Sequence, residues 1–500
     1  MPRFPFKTAL AFTTAVAALV ALHHFYDPTK GLNPGIFADA VKLNLIRHPA
    51  SEVAIKTPSE KSLNPPQQAG TKASPSQQHL PPITDNFVDD SGSLDPFYAV
   101  LRSLELPAAA NTPPQIVTVL HYGDSPTTAD LITGDVRALL QQRFGDAGHG
   151  YLLTAKPWAW YQHRDIDISD HEWKISTAVG KGHDEVYGIG GASFEGSAGA
   201  NSHITLHDNP PSPTQSSVEI DFLARPNGGD ITLGANGSQI ARFSTAADIP
   251  RPATHTVELP ADTRTLDLAV ASGSARLFGE TFRTGRRGVL YDSLGLNGAS
   301  TSVLSNGFNA TAWTDELQHV RPALVIINYG TNESGFGTYV DKQYEPTLRT
   351  AIKRIRTALP GVPILVMSPM DRGRRTGVDQ IETYDTIPRI IAIQRRVAAE
   401  QNCAFFDTFN AMGGDGTMDR WYTGHPRLVA GDLIHPTPQG ASIVANLFVK
   451  DLMLGYDRYL RSVGGTPPAS APQPSNTKPS AATPSTAPDP QPEPPKAPPA

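Results

Sequence analysis

Ile116-Val117-Thr118-Val119-Leu120-His121 runs straight into Tyr122-Gly123-Asp124-Ser125-Pro126-Thr127-Thr128, and there the apolar spacing changes from that of a strand to that of a helix. The first six residues read as a buried strand. Thr127–Phe144 reads as a helix lying on a sheet, with Leu131, Val136, Leu139 and Leu140 largely on one side. A serine at such a junction is lifted out of the sheet, and helix N-terminal amides face whatever its hydroxyl attacks. The same alternation recurs downstream. Strands at 323–328, 363–368 and 403–406 are each followed by a helix, at 344–358, 387–401 and 438–460, and another helix at 95–104 opens the folded body. Short apolar strands alternating with helices predict an α/β class fold, a parallel sheet covered on both faces.

The middle of the chain breaks this rhythm. Between Gly180 and Arg287 come short alternating runs, Ser217–Ala224, Ile231–Leu233, Thr254–Leu259, Leu266–Val270 and Ala275–Glu280, punctuated by Gly, Pro, Asn and Asp. That patterning predicts an antiparallel β-sandwich inserted after the first strand–helix unit. The expected organisation is a targeting segment at 1–26, a flexible linker at 27–84, an α/β domain in two segments at 85–160 and 286–463, the insert at 161–285, and a Pro-rich tail at 464–500.

Arg3 and Lys7 precede an uncharged stretch from Thr8 to Leu22, the pattern of an export signal. No small-x-small cleavage site follows it, since His23-His24-Phe25-Tyr26 comes next, so an uncleaved N-terminal anchor is expected rather than a cleaved signal. Either places the protein on the periplasmic or extracellular face, and the anchor would tether it to the inner membrane; no other membrane contact is expected. A net charge of −6 without a long basic run argues against nucleic acid as a partner. The single cysteine, Cys403, excludes an internal disulfide and sits in an apolar segment. The fifteen histidines show no metal-ligand spacing, and no glycine loop is placed to cradle phosphate, so neither metal nor cofactor is expected.

Asp432-Leu433-Ile434-His435, beside Pro436, can supply a base and the carboxylate that orients it from one tight turn. Ser125, Asp432 and His435 stand in a chain order that α/β folds use for nucleophile, orienting acid and base. The tetrahedral intermediate of acyl transfer carries an oxyanion, which preorganised donors must meet. Candidates are the Ser125 backbone N–H, Gly298 in Asn297-Gly298-Ala299, and the Asn332 side chain in Gly330-Thr331-Asn332-Glu333. Gly295 is a rival to Gly298. Trp421 and Tyr422, just before the Asp432 turn, either stack on a sugar ring or pack beneath the loop. Glu333 and Asp371 lie at strand ends and either line the cleft or, the favoured reading, act as surface caps.

These four blocks resemble the SGNH, or GDSL-type, hydrolases, with Gly123-Asp124-Ser125, Gly298, Gly330-Thr331-Asn332-Glu333 and Asp432-Leu433-Ile434-His435 as the matching motifs. Gly123 to Asp130, Arg143 to Gly148, Ala411 to Gly416 and Trp421 are similar to the subgroup of periplasmic peptidoglycan O-acetylesterases. Pro126 departs from the pattern, which has leucine in the wider family and often histidine in the subgroup. The resemblance implies a flavodoxin-like, three-layer α/β/α fold with a carbohydrate-binding-module-like insert. It also implies removal of O-acetyl groups from an exported polysaccharide such as peptidoglycan. The same residues would serve an acetyltransferase, and a glycan-binding protein with an inactive fold is a third reading. The oligomeric state is not encoded legibly.

Overall fold

The computed structural model describes residues 86–108, 113–180, 184–207, 214–377 and 380–465. The expected targeting segment, the linker and the Pro-rich tail from residue 466 lie outside them. No helix among the described residues is long and apolar enough to cross a membrane.

Six strands form the central sheet: β1 (Phe87–Val88), β2 (Ile116–Gly123), β3 (Gly288–Gly295), β4 (Leu324–Asn328), β5 (Ile364–Met367) and β6 (Ala404–Phe406). Their spatial order is β1-β6-β5-β4-β2-β3; β2 to β6 run parallel, and β1 adds an antiparallel edge. Helices cover both faces. Val117 and Val119 of β2 and Leu324 and Ile326 of β4 share a core with Val136 and Leu140 of α2 (Leu131–Phe144) and Val444 and Phe448 of α6 (Pro438–Ser462). The alternate residues Leu120, Tyr122, Val325 and Ile327 face Trp313 of α3 (Ala310–Val320), Ile352 of α4 (Glu345–Ala358) and Ile390 of α5 (Thr386–Glu400). Burial on both faces explains why these strands read as continuous apolar runs rather than alternating ones. α1 (Asp95–Glu105) completes the first layer through Tyr98 and Leu101. This is the expected three-layer α/β/α arrangement.

β2 lies between β3, the next of these strands in the chain, and β4, the one after. The chain therefore passes from β2 to β3 on one side and then crosses back to β4 on the other, and this reversal of strand order opens a crevice at the carboxyl ends of the three strands. All the candidate site loops leave from that end.

Two antiparallel sheets lie between β2 and β3 in the chain. The first joins Ile166–His171, Asn201–Leu206, Asp230–Ala235, Ser238–Ser244 and Thr265–Ser272; the second joins Lys174–Thr177, Ala192–Ser197, Ser217–Ala224, Arg251–Glu258 and Ser274–Arg283. Ile204, Ile231, Leu233, Leu266 and Leu268 of the first share a core with Phe194, Val218, Ile220 and Leu277 of the second. The antiparallel pairing begins at Gly150–Leu152, which joins Ser274–Arg283 ahead of the expected boundary at residue 161.

Several elements differ from the sequence reading. β1, β3, α3 and the hairpin of Gly373–Gly377 with Gln380–Thr383 were among those not anticipated, and the helix expected at Thr127–Phe144 is broken in two. A short helix, Ser125–Thr128, is separated from α2 by Asp130, whose φ of +50° is left-handed. The Asp130 carboxylate makes that conformation tenable. It accepts from the Thr133 hydroxyl at 2.6 Å, the Arg164 N–H at 2.8 Å and both terminal nitrogens of Arg137. Burial opposes its ionisation, but the Arg137 charge and hydrogen bonds outweigh burial and hold the carboxyl well below the usual range. Removing one partner of such a buried pair leaves the other charge uncompensated. Arg137→Ala is expected to cost about 3–5 kcal/mol, read as a lower urea midpoint at unchanged slope.

Candidate active site

β2 delivers Ser125 to the crevice. At Gly123 a Cβ would stand 2.1 Å from Thr127 Oγ1, so only glycine lets the chain turn this tightly into the short helix. Pro126 occupies the first turn of that helix, where its missing N–H leaves no hydrogen bond unmade. The N–H groups of Thr127 and Thr128 close the turn on Asp124 O at 3.0 and 3.1 Å.

The Asp432–His435 turn arrives from the opposite side of the sheet order, just ahead of α6. Leu433 adopts a left-handed φ of +62°, which folds the turn back on itself. Asp432 Oδ1 accepts from the N–H groups of Ile434 and His435 at 3.0 and 3.1 Å, and its Oδ2 lies 2.6 Å from His435 Nδ1. His435 Nε2 lies 2.8 Å from Ser125 Oγ. Three residues read as a nucleophile, a base and an orienting acid thus form one hydrogen-bonded chain. With Nδ1–H donating to the carboxylate, Nε2 is left as the acceptor for the serine hydroxyl.

Electrostatics favour this polarity. Burial pushes the Asp432 carboxyl up, but hydrogen bonds from the His435 ring and from two backbone N–H groups overcome it and hold the group at about 2. The hydrogen bond to Asp432 raises the His435 imidazole above its usual value. Asp124, to which the sequence reading gave no role, is buried beside them. Burial raises its carboxyl to about 7 against the pull of a hydrogen bond from Thr331 and of the His435 charge, and its Oδ2 has no hydrogen-bond partner among the described residues. A buried carboxyl beside the base was not visible in the tripeptide Gly-Asp-Ser.

The two proposed donor loops meet next to Ser125. Leu296 to Ala299 form a tight turn closed by Ala299 N–H to Leu296 O at 3.0 Å, with Gly298 exposed at a φ of +75°, the geometry that favours glycine at the third position. Gly295, the rival, is buried, and a Cβ there would meet Thr128 N at 2.3 Å. It is a close-packing glycine beneath the nucleophile helix, whereas Gly298 is exposed in the turn beside it. Asn332 donates through Nδ2 to Ala299 O at 2.8 Å, so its amide bridges the two loops and keeps a second N–H for an incoming group.

Glu333 and Asp371 are not surface caps. Both are buried. Glu333 accepts from the Thr301 N–H and hydroxyl, both at 2.8 Å, which ties the Asn332 loop to the Gly298 loop. Asp371 accepts from Thr383 Oγ1 and Met418 N–H, also at 2.8 Å, and braces the segment under the Asp432 turn. A polar residue at a strand end reads as exposed until tertiary neighbours bury it. Trp421 is likewise 7% exposed and packs in the core beside α6, so of the two readings it takes the packing one. Tyr422 is half-buried, with the guanidinium groups of Arg375 and Arg427 over its ring at 4.7 and 4.3 Å. Cys403 is buried, and burial pushes its thiol up to about 12. Among the described residues no cluster of His, Cys, Asp or Glu could hold a metal ion.

Residues 267–443 match the GDSL-like lipase/acylhydrolase family. The matched span includes Gly298, Asn332, Asp432 and His435 and leaves out Ser125, which the antiparallel sheets separate from it in the chain. Among solved structures, one described as "Peptidoglycan O-acetylesterase in action" is 22% identical and superposes with a TM-score of 0.61, covering 73% of this chain and 96% of its own. A Bacillus subtilis protein at 13% identity covers 57% of this chain and 90% of its own with a TM-score of 0.29. A family two carbohydrate esterase from Clostridium thermocellum at 11% covers 57% and 100%, with a TM-score of 0.25. No curated protein matches by sequence. With the family match over residues 267–443 and the shared fold over 73% of the chain, the chain carries a GDSL-like, SGNH-type acylhydrolase domain and is a carboxylic ester hydrolase.

Proposed function

We propose that the protein removes O-acetyl groups from an exported polysaccharide, with peptidoglycan as the leading substrate, through an acetyl-Ser125 intermediate. The observation that carries the chemistry is the continuous hydrogen-bonded chain from Ser125 Oγ through His435 to Asp432. His435 Nε2 takes the hydroxyl proton as Ser125 Oγ bonds to the acetyl carbonyl carbon. The carbonyl oxygen becomes an oxyanion, received by the Ser125 and Gly298 N–H groups and the second Asn332 amide hydrogen. His435 then protonates the leaving sugar oxygen. Water repeats the cycle on the acetyl-enzyme, releasing acetate and restoring Ser125.

Pro126 is compatible with this scheme, because the donor required belongs to Ser125 itself. The antiparallel sheets would hold the glycan chain, and the N-terminal basic-then-apolar segment supports work outside the cytoplasm. The likeness in fold to a peptidoglycan O-acetylesterase favours the polymer named. Acetate release by the full chain from O-acetylated peptidoglycan and from 4-nitrophenyl acetate tests the reading. Release from both supports it. Release from the small ester alone removes the polymer and keeps the chemistry, and acetyl appearing on an added acceptor glycan faster than free acetate would make the enzyme a transferase.

Asn332→Ala is expected to lower kcat by about 10²–10³ with little change in KM, because the donor acts on charge that exists only in the transition state. Steady-state kinetics on 4-nitrophenyl acetate checks it.

A further inference from the structure

Beside the Asp432–His435 turn, two arginines from separate segments converge on one aromatic ring. Arg375 lies on the hairpin formed by Gly373–Gly377 and Gln380–Thr383, and Arg427 on the segment that precedes the turn. Their guanidinium carbons sit 4.7 and 4.3 Å from the Tyr422 ring centroid. Both side chains belong to exposed residues. Among the described residues neither has a carboxylate within ion-pair distance, unlike their neighbour Arg374, which has Glu382 at 3.8 Å and Asp385 at 3.9 Å. Hydrogen bonding from Arg375, and then the Arg427 charge, also lower the Tyr422 phenol from its usual value. Two like charges held together without a counter-ion, in a chain of net charge −6, is an arrangement that an anion would relieve.

The pair is built onto the candidate active site. Gly373 N–H donates to Leu433 O at 3.0 Å, inside the Asp432–His435 turn, and Arg375 follows two residues along the same strand, roughly 7 Å away by strand geometry. Thr437 Oγ1, two residues past His435, donates to Arg427 O at 3.1 Å. Ala430 N–H donates to His435 O at 2.8 Å, so the Arg427 segment is bonded to the turn as well. Both cations therefore stand on segments hydrogen-bonded directly to the turn that carries His435. Guanidinium groups bind carboxylates through paired hydrogen bonds, and the Tyr422 ring holds both groups in place for one.

We propose that Arg375, Tyr422 and Arg427 form a subsite for a carboxylate carried by the glycan near the acetyl group. The proposal rests on the glycan reading above and narrows its substrate to an anionic polymer. Two sources share that chemistry, the stem-peptide carboxylates of peptidoglycan and the ring carboxylates of a uronic acid polymer.

The test is competition, which needs no turnover of the polymer. Deacetylated peptidoglycan fragments and oligogalacturonate are each added to the full chain hydrolysing 4-nitrophenyl acetate, beside the same fragments with their carboxyls amidated. At least one acidic form is expected to inhibit, and to name the source. Amidation, Arg375→Gln or Arg427→Gln should each weaken that inhibition on the order of ten-fold, the effect shrinking at high salt. The proposal is overturned if neither acidic form inhibits, if amidated fragments inhibit equally well, or if both variants keep the parent's inhibition constant. The amidation arm uses the parent protein, so a misfolded variant cannot mimic the result. Inhibition by acidic fragments without acetate release from O-acetylated peptidoglycan would keep the subsite and remove peptidoglycan deacetylation.

Discussion

Ser125→Ala is expected to lower kcat on 4-nitrophenyl acetate by roughly six orders of magnitude, and His435→Ala by a similar factor. The double variant should be scarcely worse than either. The reason is the geometry of one relay. Ser125 Oγ has its proton acceptor 2.8 Å away, and neither group is of use to the reaction without the other. The residual rate should come from the donors at Gly298 and Asn332, which are untouched. Measured kcat values for the three variants check both the size and the non-additivity. Independent, multiplying losses would show that the two residues do not act as a unit.

Asp432→Asn is expected to lower kcat by about 10⁴ while leaving the fold in place, because the carboxamide preserves volume and removes the charge that orients the ring. Its pH behaviour is the sharper reading. His435 must be neutral to accept the serine proton, so kcat/KM of the parent should rise with pH as the imidazole loses its proton. Asp432 raises that imidazole, so the rise should centre above its ordinary 6.5. In Asp432→Asn the same limb should move to lower pH. Asp124, at about 7, titrates in the same window and interacts with His435, so the observed limb belongs to the coupled pair. A pH–rate profile from 4 to 9 for parent and variant decides the direction, with about that range needed to reach both plateaus.

The parts of the fold legible in the sequence were those whose environment is uniform. β4 and β5 are buried along nearly their whole length, so their apolar runs carry the signal themselves. β3 was missed because Asp292 and Ser293 interrupt it. In the structure Asp292 accepts from Tyr151 N–H at 2.9 Å, a tertiary partner that the local pattern does not announce. The break before α2 was missed for the same kind of reason, since Asp130 is held left-handed by Arg137 and Arg164 from outside its own turn. At the site, the residues proposed to touch substrate lie in short motifs and could be read from them. Those that hold the motifs in place could not. Glu333 and Asp371 look like surface acids in sequence, and only their partners Thr301, Thr383 and Met418 reveal them as buried braces. The Tyr422 subsite was half-read, because its arginines come from segments separated in the chain and meet only through the hairpin and the Asp432 turn.

Serine-directed labelling of the full chain with a fluorophosphonate, followed by mapping of the modified peptide, addresses the central claim most directly. The account predicts a single label on Ser125 that abolishes esterase activity in proportion to its extent, and that is lost in His435→Ala. A label on another serine, or full activity in protein fully labelled at Ser125, would contradict it.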